Sequence, residues 1–208
     1  MAIRTITRRE LIKNSLASIT ALAASPVIAE SRLMDTLYMY ADFGCGHCKE
    51  AYEMIYPNLS ALAERNLVFV FRPILPARVS GDGINPEPIV RFFYAAQRML
   101  KTGEKERLIL TLFNGMADRA ALDSFDSVYQ WVMLQGMRLD YELLKNHYEI
   151  YGSRLAFEDA VDSFKRRDGV YVPMFIGERN GEMIREWRWT GTARSTVAPL
   201  QTYLQRFF

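Results

Sequence analysis

Two cysteines, Cys45 and Cys48, stand two residues apart where one kind of hydrophobic spacing gives way to another. Residues 36–43 are mostly aromatic or apolar and read as a buried strand ending in the turn Asp42-Phe43-Gly44. From residue 46 to about residue 65, Ala51, Tyr52, Ile55, Leu59 and Leu62 fall at helical spacing. Pro57 sits inside that run and is expected to kink or divide the helix. The pair therefore marks a strand-to-helix junction, and any fold for this chain has to place both thiols at the start of a helix.

The order of the remaining elements follows from the same reading. Residues 67–71 are a short continuous apolar run of strand type, and residues 73–88, with four prolines and two glycines, read as a loop. Between 89 and 167 the period is helical. Phe92, Phe93, Ala96, Met99 and Leu100 mark one helix, and Leu108, Leu112 and Phe113 continue the spacing. Further helices are expected over 128–136, 141–151 and 156–167. Strand signals return at 170–176 and 183–190 around a hairpin turn at 177–181, and a last amphipathic helix is expected over 192–207. There are no internal repeats and no low-complexity segment.

Half of the 208 residues are hydrophobic and 12% are aromatic. A domain of this size buries roughly 70% of its unfolded surface, so it needs neither disulfides nor a metal to fold. The formal charge of +2 is too balanced to imply a nucleic-acid partner. That charge belongs to the N-terminus: Arg4, Arg8, Arg9 and Lys13 stand against Glu10, and without residues 1–29 the chain holds 22 basic and 23 acidic residues. A basic start, a mildly apolar run over 16–24 that is too short to span a bilayer, and the small residues of Val27-Ile28-Ala29 make the three-part layout of a secretory signal. An ordinary N-terminal helix is the competing reading. Thr7-Arg8-Arg9-Glu10-Leu11-Ile12-Lys13 also resembles a twin-arginine export motif, although adjacent arginines occur in ordinary signals too.

A thiol at a helix N-terminus faces unpaired backbone N–H groups and the positive end of the helix dipole. In such motifs the first cysteine's pKa falls from about 8.5 to roughly 3.5–7. Cys45 is thus expected to be the exposed nucleophile, and Cys48, one turn further in, the buried thiol that resolves a mixed disulfide. A protonated His47 beside Cys45 would favour its thiolate and make the oxidised pair a stronger oxidant. Gly46 has no side chain to obstruct an incoming disulfide. Three other readings stand beside this one. A structural disulfide across two residues closes a very small loop and restrains the unfolded chain little. A zinc site needs four ligands, and the only other imidazole, His147, is far along the chain. A thioredoxin-like binding module could carry the cysteines incidentally.

The motif Asp42-Phe43-Gly44-Cys45-Gly46-His47-Cys48-Lys49, together with Tyr52, Pro57-Asn58-Leu59 and the stretch Gly169-Val170-Tyr171-Val172-Pro173-Met174-Phe175-Ile176-Gly177, resembles the DsbA-like branch of the thioredoxin superfamily. The Gly-His dipeptide also matches that of eukaryotic protein disulfide isomerase. The resemblance implies an α/β, thioredoxin-like fold with an inserted helical domain: residues 30–82 and 168–208 would form the thioredoxin-like part, 83–167 the insertion, and 1–29 the signal. It implies a cis Val172–Pro173 bond facing Cys45. A proline early in a central strand removes a ladder donor, and the Val172 backbone there could pair with an extended substrate. A trans proline at a strand start is the alternative.

The leader implies a periplasmic protein, the small Gly46, the basic His47 and the lack of room for a dimer-forming domain favour a monomer, and the reaction requires no cofactor or metal. By the resemblance, the enzyme would pass its disulfide to reduced or misoxidised exported proteins and be reoxidised, or reduced, by a membrane partner. Cys45, Cys48 and His47 would carry the chemistry, with Gly46, Val172 and Pro173 at the substrate. A reductase or isomerase would use the same residues, and an assembly factor of a secretion or transfer apparatus could keep the fold without the chemistry.

One position departs from the pattern. Thioredoxins and many of their relatives carry a buried acid six residues before the first cysteine, where this chain has Met39; either a water or another carboxylate exchanges the proton of Cys48, or the exchange is slower than in the family at large, and Asp42 is closer but on another step of the strand. Trp187 and Trp189 read as packing residues, His147 as solvent-facing or hydrogen-bonded, and Lys165-Arg166-Arg167 as a solvated helix end.

Overall fold

Residues 37–41 of the first apolar run are Leu, Tyr, Met, Tyr and Ala, and three of them in a row, Met39 to Ala41, are buried, as in a strand covered on both faces. That strand, β1 (Asp35–Ala41), is central in a sheet of four strands among the described residues. The computed structural model describes residues 35–75, 86–118, 120–189 and 197–204. The expected signal over 1–29 and the middle of the 73–88 loop lie outside these residues. The remaining strands are β2 (Leu67–Pro73), β3 (Met174–Arg179) and β4 (Glu182–Arg188), in the spatial order β2-β1-β3-β4. β1 pairs with β2 in parallel, Met39 opposite Phe71, and with β3 antiparallel, Met39 opposite Phe175. β3 and β4 form an antiparallel hairpin.

A parallel pair needs a crossover, and here it is the helix that begins at the cysteines. α1 (Gly46–Ile55) runs into a 3-10 turn, Tyr56–Asn58, and then α2 (Leu59–Glu64). The division falls at Pro57, which has no N–H for an intrahelical bond. Among the described residues, five helices follow between β2 and β3: α3 (Glu87–Ala96), α4 (Thr102–Ala117), α5 (Phe125–Leu134), α6 (Tyr141–Glu149) and α7 (Tyr151–Arg166). The last is α8 (Val197–Leu204). Helix α3 is apolar enough to be wrapped by others, with Ile89, Val90, Phe92, Phe93, Tyr94, Ala95 and Ala96 all buried. Among the described residues no helix is long and apolar enough to cross a membrane.

Several boundaries differ from the sequence reading. The helix expected over 141–151 ends at Glu149, because Ile150 is extended and the Ser153 hydroxyl donates to the carbonyls of Tyr148 and Ile150. Strand β3 starts after Pro173 rather than at Val170, and it runs on to Arg179. The hairpin turn is therefore Asn180-Gly181, whose φ angles of 57° and 81° give the tight turn that suits a twisted hairpin. Arg167, expected in a solvated helix end, is half-buried instead. Its guanidinium pairs with Glu178 and donates to the Ser163 hydroxyl at 2.6 Å, and the Ser163 and Tyr40 hydroxyls are 2.7 Å apart. This cluster ties α7 to β1 and β3.

The core gathers under the first turn of α1. Phe43 packs against Phe71, Phe93 and Phe113 at ring-centroid distances of 5.5, 6.1 and 5.1 Å, so one ring joins β2, α3 and α4. Tyr52 of α1 adds an edge against Phe71 at 5.5 Å, and its hydroxyl donates to the Glu106 carbonyl at 3.2 Å. Aromatic pairs of this geometry contribute about 0.5–1.5 kcal/mol each beyond the area they bury. The residue two before Cys45 is thus clamped from both the sheet side and the helical side.

Candidate active site

Asp42 opens the turn that delivers the chain to α1. Its Oδ1 accepts from the Gly44 N–H at 2.9 Å and its carbonyl accepts from the Cys45 N–H at 3.1 Å. An aspartate bonding its own backbone two residues on is a local turn former. Cys45 follows as the N-cap of α1, with φ −92° and ψ 114°. Its carbonyl accepts from the N–H groups of Cys48 and Lys49 at 3.0 and 3.1 Å, which starts the helix. The N-cap contributes no oxygen from its side chain, so the sulfur occupies the place where a cap would sit.

The two thiols differ sharply in environment. Both are free; Cys45 is half-buried and Cys48 is fully buried. The Cys48 thiol, placed to donate to Cys45, holds the Cys45 pKa below that of an ordinary thiol. The backbone N–H groups of Cys48 and His47 help, while burial and the Asp42 carboxylate oppose. Burial pushes the Cys48 thiol well above the ordinary value, and the neighbouring Cys45 and Asp42 push the same way. A low first thiol and a high second one are what an attack-then-resolve sequence needs.

Across from the helix start lies the loop that precedes β3. The Val172–Pro173 bond is cis, and the Val172 carbonyl is 3.8 Å from Cys45 Sγ, within reach of a weak S–H donation. This loop is pinned at both ends. The chain leaves α7 through Asp168, at φ 51°, and the Gly169 N–H donates back to the Phe164 carbonyl at 3.0 Å. A Cβ on Gly169 would lie 2.4–2.6 Å from the Phe164 ring, so only glycine fits that approach. Arg188 of β4 donates to the carbonyls of Arg167 and Asp168, and the Trp189 N–H donates to the Pro173 carbonyl at 3.2 Å.

The structure thus brings Cys45, Cys48, Val172 and Pro173 together, with Gly46 exposed beside them; a Cβ on Gly46 would meet nothing within 4 Å. His47 lies on the same turn, its Nδ1 3.6 Å from Glu50 Oε2. Met39, the position of the acid in thioredoxin-like enzymes, is fully buried in β1. The nearby carboxylate is Asp42, which is only 8% exposed. Burial raises its pKa, against the Gly44 N–H that stabilises its charge.

Two site residues escaped the sequence reading. Glu50 was legible as a helical i+3 neighbour of His47. Trp189 was not, since only the β3–β4 hairpin carries it back to the cysteines. Its ring stacks on His47 with centroids 4.1 Å apart and planes 34° apart, whereas Trp187 packs on Phe175 as expected of a core residue. His147 is not placed here. It lies half-buried on α6, and its Nδ1 is buried without a hydrogen-bond partner among the described residues.

No protein-family model matches the chain, and no curated protein sequence matches it. Solved structures do. DsbA from Pseudomonas aeruginosa is 18% identical, with 89% of this chain and 86% of that chain covered and a TM-score of 0.60. The cytosolic disulfide reductase DsbM from Pseudomonas aeruginosa is 15% identical, with 82% and 97% covered and a TM-score of 0.59. The oxidoreductase DsbA from Xylella fastidiosa is 14% identical, with 72% and 74% covered and a TM-score of 0.52. With a four-stranded sheet, a helix starting at the C-x-x-C pair and a helical block inserted between β2 and β3, the chain has the α/β fold of the DsbA-like thiol:disulfide oxidoreductases, a thioredoxin-like fold with an inserted helical domain.

Proposed function

We propose that this chain is a thiol–disulfide oxidoreductase that acts after export, transferring the Cys45–Cys48 disulfide to reduced envelope or secreted proteins. The observation that carries the reading is the asymmetry of the pair: Cys45 half-buried at a helix start with a lowered pKa, Cys48 fully buried with a raised one. A substrate thiolate attacks Cys45 Sγ, the Cys45–Cys48 bond breaks, and Cys48 leaves as a thiolate that takes up a proton. A second substrate thiolate then attacks the substrate sulfur of the mixed disulfide, and Cys45 leaves as a thiolate. The substrate loses two electrons as its disulfide forms, and the pair gains them. Cys45 suits the second departure because a thiol of low pKa leaves fast. Asp42 supplies the proton to Cys48 and removes it in the reverse reaction, the task that falls to position 39 in thioredoxin-like enzymes. The Val172 backbone holds the substrate in extended form next to Cys45. A membrane-bound acceptor restores the disulfide.

A reductase reading has its own support, because the cytosolic disulfide reductase DsbM matches as well as DsbA does. One measurement separates the two. Equilibrating the protein in glutathione buffers and trapping its thiols gives the reduction potential. The oxidase reading expects a value nearer the roughly −180 mV of protein disulfide isomerase than the roughly −270 mV of thioredoxin, a gap of about a thousandfold in equilibrium constant. It also expects oxidation to lower the melting temperature. A potential near about −270 mV with a melting temperature raised by oxidation overturns the oxidase assignment in favour of the reductase.

A further inference from the structure

We propose that Trp189 is a positioning residue for the thiol chemistry: its indole fixes the His47 ring over the start of α1, and through that ring it sets how strongly the pair oxidises. The inference rests on the reading of Cys45 and Cys48 as a redox pair. It adds a residue that the C-x-x-C motif does not contain.

The ring contact is close. The centroid distance of 4.1 Å between His47 and Trp189 is well inside the 5.1 Å of Phe43 and Phe113 in the core, and the planes are tilted by 34°, well short of an edge-on arrangement. The opposite constraint on the imidazole comes from Glu50, whose Oε2 lies 3.6 Å from Nδ1. An imidazole that carries its proton is attracted by both neighbours, by the indole face through its quadrupole and by the carboxylate through its charge. A histidine on the first turn of an exposed helix otherwise samples several rotamers; this one is held between two groups.

The indole is itself anchored to the other half of the site. The Trp189 backbone N–H donates to the Pro173 carbonyl at 3.2 Å, one residue from the Val172 carbonyl that approaches Cys45 Sγ. Arg188, the residue before it, donates to the carbonyls of Arg167 and Asp168 at the base of the same loop. Trp189 therefore touches both walls that flank Cys45, the His47 turn and the Val172–Pro173 loop. Packing by itself does not account for a tryptophan here. Its Nε1 is buried and has no hydrogen-bond partner among the described residues, a cost that a phenylalanine would not carry.

The direction of the effect follows from charge. His47 stands between the two cysteines, and its backbone N–H already favours the Cys45 thiolate; a proton carried by a ring held on that same turn would add positive charge near the sulfur and so favour the reduced pair and the oxidising power of the disulfide. Releasing the ring weakens the oxidant. A cation–π contact at a partly exposed site corresponds to about a two- to fivefold effect on an equilibrium constant.

The test is a double-mutant cycle on the equilibrium with glutathione, using the full chain as wild type, Trp189→Leu, His47→Ala and the two combined. The expected result is a two- to fivefold shift toward the disulfide form in Trp189→Leu, with no further shift when His47 is already alanine. Trp189→Phe, which keeps an aromatic face, should shift less, and it carries the test if the leucine variant does not fold. An unchanged equilibrium, or the same shift with and without His47, overturns the inference. A merely structural indole would lower the melting temperatures of both redox forms alike and leave the equilibrium in place. Should the wild-type cysteines form no disulfide at any glutathione ratio, it is the redox reading itself that fails, and this inference with it.

Discussion

One helical turn separates Cys45 from Cys48, and it carries the chain from a partly exposed helix start into the core. Because the Cys45 pKa is lowered by the Cys48 thiol, ionisation of Cys45 stabilises the reduced fold above the pKa of the unfolded thiol, and this gain fades as pH falls through the folded value. Thiolate absorbance should accordingly rise at a lower pH in the folded protein than in the same protein unfolded in denaturant, and a folded midpoint at or above the unfolded one contradicts the assignment of Cys45 as nucleophile. Asp42 runs the other way. Burial raises its pKa, so its contribution to stability is present below the ordinary carboxylate range and is lost as pH rises through the folded value. Asp42→Asn should therefore be more stable than the wild type at neutral pH by chemical denaturation, with a difference that shrinks toward pH 4. The same variant should resolve a Cys45 mixed disulfide more slowly at neutral pH. Unchanged resolution would take Asp42 out of the proton transfer.

At the scale of elements, the site is a meeting of a helix start with the loop before a strand. The loop's position depends on how α7 ends. Asp168 sits at φ 51°, and Gly169 lies so close to Phe164 that an added Cβ would be 2.4–2.6 Å from its ring. Gly169→Ala should destabilise the protein by about 1–3 kcal/mol, the range for forcing an extra carbon into a packed site. Urea unfolding measures the loss. The displaced loop should also slow mixed-disulfide formation with a peptide more than with glutathione, because only the peptide is long enough to pair with the Val172 backbone. Equal slowing of both would argue that the loop does not hold substrate.

At the scale of the whole molecule, the prediction concerns export. The basic start of the chain, the apolar run over 16–24 and Val27-Ile28-Ala29 support cleavage near Glu30 and export. N-terminal sequencing of the protein recovered from the cell envelope should begin near Glu30, and an intact Met1 in a cytosolic fraction contradicts export. Arg8→Lys combined with Arg9→Lys should hold the protein inside the cell if it uses the twin-arginine route, and leave its export unchanged if it does not.

The element order and the placement of the cysteines at a helix start, the first more exposed than the second, were legible because they depend on local pattern. Apolar runs, helical spacing, Pro57 and the C-x-x-C pair all act within a few residues of each other. The fold class came from the resemblance carried by the cysteine turn and the Val172-Pro173 stretch, with which that order agrees. What lay beyond the sequence depends on contacts between distant segments. Spacing placed Trp189 beside Trp187 on a strand face, but it is the Asn180-Gly181 hairpin that lays Trp189 against His47 while Trp187 stays on Phe175. Arg167 read as a solvated charge, and only the approach of β3 turns it into the partner of Glu178. Asp42 looked like a turn residue, which it is. That its carboxylate is also buried, with its charge acting on both thiols, was decided by the folded packing. Local spacing sets which groups can react; burial, charge neighbours and proton partners come from chain segments that only the folded sheet brings together.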